Sequence, residues 1–335
     1  VTADIGQSCK DLLTKVAVTF ICDSHYIIPT VVAITSLIYN KNQNTYYDIY
    51  IIAAGLSERE TEKFYEFRGS NADIHIIKVS LKKFKDIHTF LHISSAAYLK
   101  FDLPDLIPNQ DKVLYLDSDV IIQKDLSDLF ETNINDYYAG AVKDIGLIDN
   151  DLKIKNYFNS GVMLLNLKLM RENHTSTALL NIAKSADNFT YMDQDCLNIL
   201  FDKKVKLLPE IYNCFYNFFL QYKDKYTLDY INKCFGTNYS SLDNIKKDSC
   251  IIHLISYDKP WIYFDGVFVR EWDEYFKKSP LKLHKLKRKS KKLREFIVSH
   301  NLTELSFTFF RYWRKNGFKF VMGKVKKRLF NYKNK

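Results

Sequence analysis

Two aspartates one residue apart, Asp117 and Asp119, sit between the apolar runs Val113-Leu114-Tyr115-Leu116 and Val120-Ile121-Ile122. Positions i and i+2 of a regular strand point to the same side. Both carboxylates are therefore expected on one face at the end of a buried strand. Two anions so placed repel, and each is costly to bury unless paired or bound to a metal. A hard divalent cation, Mn²⁺ or Mg²⁺, suits them, because it takes oxygen ligands and also holds substrate phosphates. The bland alternative is a solvated Asp-Ser-Asp turn.

His253 lies in a short apolar run at 250–254 (CIIHL), and alone it would be a structural histidine. Its interest comes from Lys259, six residues on, in a turn fixed by Pro260. If the imidazole adds a nitrogen to a cation held by Asp117 and Asp119, Lys259 can reach the same diphosphate. Cation and ammonium would then neutralise a departing nucleoside diphosphate. Neither a G-x-x-x-x-G-K-[ST] nor a G-x-G-x-x-G pattern is present, so the phosphate cradle is neither a P-loop nor a dinucleotide fingerprint.

These residues need elements to position them. Residues 16–22 (VAVTFIC), 47–53 and 74–79 read as buried strands, and 29–39 has helical spacing. Residues 57–68 read as a helix opened by a Ser-x-x-Glu capping box, and 94–107 as a helix broken by Pro104. A strand ending at Asp117 follows, and 160–167 is a further apolar strand. Strands alternating with helices predict a mostly parallel sheet with helices on both faces. Ligands of such sheets sit beyond the carboxyl ends of the strands. Asp23-Ser24-His25-Tyr26 and Asp117-Ser118-Asp119 both lie at such ends and are expected to line one crevice.

The order of DSHY, DSD, FNSGVMLLNL, DQD and H-x5-KPW resembles the family 8 glycosyltransferases, nearest to the bacterial lipopolysaccharide-core galactosyl- and glucosyltransferases. The resemblance spans roughly residues 16–280. It implies an α/β GT-A (Rossmann-like) fold with a mostly parallel mixed sheet, a UDP-hexose donor, a Mn²⁺ or Mg²⁺ cofactor and transfer with retention. Carried over by position, Asp117, Asp119 and His253 bind the metal. Asp23, His25 and Tyr26 meet the uracil, with Tyr26 offering a ring to stack on; His25 stands where relatives often have Asn. Lys100 occupies the place of the family's Arg, which removes a bidentate contact but keeps a phosphate or sugar contact. Ser118 and Lys259 join the nucleotide contacts. Asp144, Asn159 and Asp193 hold sugar hydroxyls, and Gln194 lies by the anomeric carbon. Ser256 stands where the loop after the metal histidine usually has Gly. Asp193 and Asp195 can also be read as acids complementing a helix N-terminus.

Retention by double displacement needs a carboxylate nucleophile on the far face of the sugar. Gln194 is a poor nucleophile, and Asp193 is engaged with hydroxyls. A front-face route is expected, in which the leaving UDP oxygen helps deprotonate the acceptor and the protein supplies position and charge.

In 335 residues, 47% hydrophobic, there is room for a sizeable core, and 10 Gly with 6 Pro argue against long linkers. Six scattered cysteines without a C-x-x-C pair argue against a structural zinc site or a disulfide framework and fit a reducing compartment. No charged-then-apolar leader and no bilayer-length apolar run is present. The net charge of +10 is unevenly spread: residues 277–335 carry +18 and the remainder −8. Basic and aromatic residues interleave in that tail, as suits an anionic membrane surface. The expected organisation is a catalytic domain at 1–276 and a basic, helical docking region at 277–335. The expected setting is cytoplasmic, at the inner face of the membrane that carries the lipopolysaccharide core, with no nucleic-acid partner. Alternatives are transfer to a protein or capsular glycan, and a non-catalytic UDP-sugar-binding module.

Overall fold

The computed structural model describes residues 13–69, 71–84, 87, 95–185, 189–255 and 258–292. Ser256 and most of the basic tail, from 293 on, lie outside the described residues. Two compact units are distinguished: Val1–Lys259 with Arg270–Lys285, and Pro260–Val269 with Leu286–Lys335.

In the first unit the strands, in chain order, are β1 (Thr14–Cys22), β2 (Thr45–Ala54), β3 (Ala72–Val79), β4 (Lys112–Leu116), β5 (Val120–Ile122), β6 (Ala139–Lys143), β7 (Phe158–Asn166), β8 (Val205–Leu208) and β9 (Ile251–His253). Seven of them form one sheet in the order β3-β2-β1-β4-β7-β6-β8, while β5 and β9 pair separately. β1, β2, β3 and β4 are parallel, β7 runs antiparallel to both its neighbours, and β6 and β8 are again parallel. The mostly parallel mixed sheet expected from the sequence is therefore present, with β7 as the one reversed strand.

Both faces of the sheet are covered, which is why β1 is apolar at nearly every position. Val16, Val18, Phe20 and Cys22 pack with Tyr47, Ile49, Ile51 and the helix Ile27–Tyr39 on one face. Ala17 and Ile52 pack with Tyr115, Met163 and the helix Met192–Phe201 on the other. The five described cysteines are free thiols. No helix among the described residues is long and apolar enough to cross a membrane.

Three sequence expectations change in detail. The capping box forms, with the Ser57 N–H donating to Glu60 Oε2 at 2.9 Å, but the α-helix ends at Thr61 and tightens into a 3₁₀ segment, Glu62–Phe67. The stretch expected as a helix broken by Pro104 is a 3₁₀ segment, Ser95–Asp102, followed by a short helix, Leu103–Leu106. Pro104 lies in the first turn of that helix, where its missing N–H has no intrahelical partner to lose. Asp117 and Asp119 belong to the turn between β4 and β5 and not to a strand. Strand alternation is therefore not what turns them to one side.

In the second unit, Phe264 donates to the Lys289 carbonyl and Lys289 to that of Ile262, a short parallel bridge. The Asp265 carboxylate accepts from the N–H groups of Lys291 and Lys292 and from the Ser290 hydroxyl.

Candidate active site

Backbone pairing, not sequence proximity, assembles the site. The Asp117 N–H donates to the Gly161 carbonyl at 2.7 Å, tying the end of β4 to the start of the reversed strand β7. Because β7 is antiparallel, its first residues, Asn159 and Ser160, reach the carboxyl end of β4. β5 pairs with β9 so that Val120 faces His253, and the Leu254 N–H donates to the Asp119 carbonyl at 2.8 Å.

The donor atoms of Asp117, Asp119 and His253 all lie within 4.8 Å of one another. His253 Nε2 is 3.2 Å from Asp119 Oδ1 and 3.7 Å from Asp117 Oδ2. Gly161 leaves the room for this approach: a Cβ there would stand 2.2 Å from His253 Cε1 and 2.7 Å from Asp117 Oδ2. Two carboxylate oxygens and one imidazole nitrogen fit Mn²⁺ or Mg²⁺. Lys259 Nζ lies 2.5 Å from Asp119 Oδ2 and also donates to the Leu254 carbonyl. Burial would raise the Asp119 carboxyl, but Lys259 and then His253 outweigh it and hold the group below the usual carboxylate range. The Tyr115 phenol donates to Asp117 Oδ1 at 2.5 Å. Burial, and then the Asp117 charge, push that phenol well above its ordinary value and keep it a donor.

Beside this cluster lies a second, more deeply buried one. Lys100 Nζ donates to Asp193 Oδ2 at 2.7 Å and Ser160 Oγ at 3.1 Å, and lies 3.5 Å from Asp117 Oδ1. Burial would strip its proton, but the charges of Asp117 and Asp193 hold the ammonium above its ordinary value. Burial raises Asp193, and Lys100 pulls it back only in part. Gln194 Oε1 accepts from the Ser160 N–H at 3.0 Å and from Asn159 Nδ2 at 3.2 Å. Asp144 Oδ2 accepts from Asn159 Nδ2 and Gln194 Nε2, each at 3.3 Å. Burial raises the Asp144 carboxyl against the hydrogen bonds from Asn159, Gly146 and Gln194.

Asp23, His25 and Tyr26 follow β1, the parallel neighbour of β4. Asp23 Oδ1 accepts from the His25 N–H at 2.9 Å, and the His25 side chain is 88% exposed. Burial, then the charges of Asp119 and Asp117, raise the Tyr26 phenol. The Ser118 hydroxyl pairs with Thr30 Oγ1 at 2.7 Å and so anchors the turn to the helix Ile27–Tyr39. The two acids of the DQD cluster separate in role. Asp195 accepts from the Tyr191 N–H at 2.8 Å and from the Tyr157 phenol, holding the start of its helix, whereas Asp193 pairs with Lys100.

Sequence reasoning missed Asn213, Ser160, Tyr115 and Gly161. Asn213 Nδ2 donates to Asn159 Oδ1 at 3.0 Å, and its Oδ1 lies 2.9 Å from His253 Nδ1. Ser160 and Gly161 stand inside the FNSG run, where a small residue between chemistry-bearing ones marks a close backbone approach.

The model of glycosyl transferase family 8 matches residues 17–265. The chain is 30% identical to the lipopolysaccharide 1,2-glucosyltransferase of Escherichia coli strain K12 over 251 residues, 71% of this chain and 70% of that protein. It is 27% identical to glycosyltransferase GlyF of Streptococcus pneumoniae serotype 4, covering 82% of this chain and 67% of that one. The galactosyltransferase LgtC, solved with donor and acceptor sugar analogues, superposes with a TM-score of 0.66 at 25% identity, over 79% of this chain and 96% of its own. Fold and site thus define a GT-A glycosyltransferase. The chain belongs to glycosyl transferase family 8. It is a retaining hexosyltransferase that uses a nucleotide-sugar donor and a glycan acceptor, as its sequence motifs imply.

Proposed function

We propose that this enzyme transfers galactose or glucose from a UDP-sugar to the lipopolysaccharide core, with Mn²⁺ or Mg²⁺ held by Asp117, Asp119 and His253. The observation that carries the reading is the convergence of those three donor atoms within 4.8 Å beside the Asp144–Asn159–Gln194 network. The likeness to a lipopolysaccharide glucosyltransferase supports the acceptor.

The bound cation supplies charge against the diphosphate leaving group. Lys259 moves from Asp119 to the diphosphate and adds a second positive charge there. Asp23 and Tyr26 hold the uracil, with His25 and Ser118 at its margin and Ser256 in the diphosphate loop. Asp144, Asn159 and Asp193 take sugar hydroxyls, and Gln194 lies by the anomeric carbon. Lys100 fixes Asp193 in place by donating to its Oδ2 at 2.7 Å. The Lys100 ammonium at 2.7 Å and the Ser160 hydroxyl at 3.1 Å both donate to Asp193 Oδ2 and draw charge from it, which weakens that oxygen as a nucleophile. That favours the front-face route, in which the departing UDP oxygen takes the acceptor proton. A trapped glycosyl-Asp193 adduct would refute it.

The domain division proposed is catalysis at 1–276 and docking to an anionic membrane at 277–335. The contrast between +18 in that tail and −8 elsewhere supports it.

The test is UDP release from a panel of UDP-sugars with Mn²⁺, with and without lipid-linked core acceptor, beside Asp119→Ala. Metal-dependent release from one hexose donor, stimulated by the core acceptor and lost in the variant, is expected. Stimulation by a capsular glycan or protein instead of the core acceptor would overturn the acceptor assignment.

A further inference from the structure

One buried amide links the cation cluster to the sugar pocket, and its orientation can be worked out from backbone atoms. The Gly161 N–H can only donate, and it donates to Asn159 Oδ1 at 3.0 Å. That atom is therefore the amide oxygen, and the NH₂ of Asn159 faces Asp144 and Gln194. The Ser160 N–H fixes Gln194 Oε1 in the same way. Asn213 meets Asn159 Oδ1 with its own NH₂, at 3.0 Å. Its oxygen then faces His253 Nδ1 at 2.9 Å, which puts the ring proton on Nδ1. Nε2, 3.2 Å from Asp119 Oδ1 and 3.7 Å from Asp117 Oδ2, is then the nitrogen that can give its lone pair to a cation, once the cation displaces the proton it shares with Asp119. Flipping Asn213 would set two oxygens against each other and move the ring proton to the nitrogen that has to bind the cation.

The backbone holds Asn213 in place. It is 1% exposed, and the Cys214 N–H donates to the Ile251 carbonyl at 3.0 Å while the His253 N–H donates to the Cys214 carbonyl at 2.9 Å. The segment runs beside β9, so Asn213 and His253 are carried as one piece.

We infer that Asn213 is a positioning residue that sets the tautomer of His253 for cation binding and couples it, through Asn159, to the amides of the sugar pocket. The inference rests on the reading that Asp117, Asp119 and His253 hold a divalent cation. Partners of this kind on a metal-binding histidine are worth about 10- to 100-fold in metal affinity.

Two variants separate the halves of the amide. Asn213→Leu removes both hydrogen bonds while keeping the heavy-atom count and the branch at Cγ. Asn213→Asp keeps an acceptor for Nδ1–H but loses the donor and turns a carboxylate toward Asn159 Oδ1. Mn²⁺ affinity is read by titration of the free-ion EPR signal, the donor KM and kcat by UDP release, and folding by thermal melts. Asn213→Leu is expected to weaken Mn²⁺ binding about 10- to 100-fold. Asn213→Asp is expected to hold Mn²⁺ affinity within about threefold of wild type while raising the donor KM. Wild-type affinity in Asn213→Leu, beside clear loss in Asp119→Ala, overturns the inference alone. Equal Mn²⁺ loss in both Asn213 variants also overturns it, since a purely structural role predicts that. Mn²⁺ binding unaffected by Asp119→Ala overturns the cation reading, and the inference with it.

Discussion

Gly161→Ala is the sharpest test of how the cation cluster is built. The glycine is required for space, since its φ lies outside the left-handed region. An added Cβ would stand 2.2 Å from His253 Cε1, 2.7 Å from Asp117 Oδ2 and 3.0 Å from His253 Nδ1. Carbon atoms pack at about 3.5 Å or more, so the imidazole has to move by roughly 1.3 Å or the strand has to retreat. Retreat is opposed by the Gly161 carbonyl, which accepts from Asp117 at 2.7 Å, and by its N–H, which donates to Asn159. The ring is opposed in turn by Asn213 at 2.9 Å and by Phe215 edge-on. Overpacking of this kind costs about 1–3 kcal/mol of stability. A displacement of about 1 Å at catalytic groups costs about 100-fold in rate. The control is Gly140→Ala in β6, whose Cβ would meet only the tips of Leu208 and Ile134 at 3.2–3.4 Å. Calorimetric titration with Mn²⁺, UDP release and thermal melts should show Gly161→Ala weak in metal binding and about 100-fold slow, with Gly140→Ala near wild type. Turnover and Mn²⁺ affinity within threefold of wild type in Gly161→Ala would refute this account of the site.

Further substitutions probe other parts of the arrangement. Lys259→Met frees Asp119 of the ammonium now 2.5 Å from Oδ2. It should bind Mn²⁺ at least as tightly as wild type without nucleotide, yet hold UDP more weakly; paired calorimetric titrations read both signs. Lys100→Met leaves Asp193 buried without its cation and should cost about 3–5 kcal/mol in a denaturant melt. Replacing Asp193 by Leu as well should recover most of that loss in stability, while activity stays absent. The Asp125 carboxyl is held below its ordinary value: burial opposes this, and hydrogen bonds from Ser127, Asn42 and Thr45 prevail. Its native pKa thus lies under the unfolded one, so it stabilises the fold above about pH 4, and the contribution fades as pH falls through the native value. Asp125→Asn should be less stable at neutral pH, with the difference shrinking on acidification in urea melts.

How much of this could be read from the chain depends on which contacts are local. The buried runs of β1 and β4, the capping box at Ser57 and the pairing of Asp117 with Asp119 declare themselves within a few residues, although the two acids sit in a turn and not on a strand. The direction of β7 does not, because an apolar run reads the same for parallel and antiparallel pairing. Yet that reversal brings Asn159 and Ser160 to the Asp117–Asp119–His253 cluster. His253 was legible only through its spacing to Lys259, and the physical reason it faces Asp119 is the pairing of β5 with β9, across more than a hundred residues. Asn213 carries no local signal, since an asparagine after a short turn is ordinary loop chemistry. Its partners are 40 and 54 residues away.

The hydrogen-bond lengths sort the sugar pocket into fixed and exchangeable parts. Bonds anchored on backbone N–H groups are short: Gly161 to Asn159 and Ser160 to Gln194 are both 3.0 Å. Bonds among the side chains that are to meet the sugar are longer. Asp144 accepts from Asn159 and Gln194 at 3.3 Å each, and those two amides lie 3.2 Å apart. A sugar hydroxyl both donates and accepts, so it can enter this triangle, give its proton to Asp144 and accept from an amide. The backbone bonds keep each amide facing the same way during that exchange. On the proposed roles the pocket would therefore reorganise little on binding. Burial also raises the price of leaving Asp144 unpaired, which makes a hydroxyl of the wrong configuration a poor occupant. On the proposed roles, donor selectivity and the tautomer of His253 would both be set by one continuous run of amides, with Asn159 as the shared member.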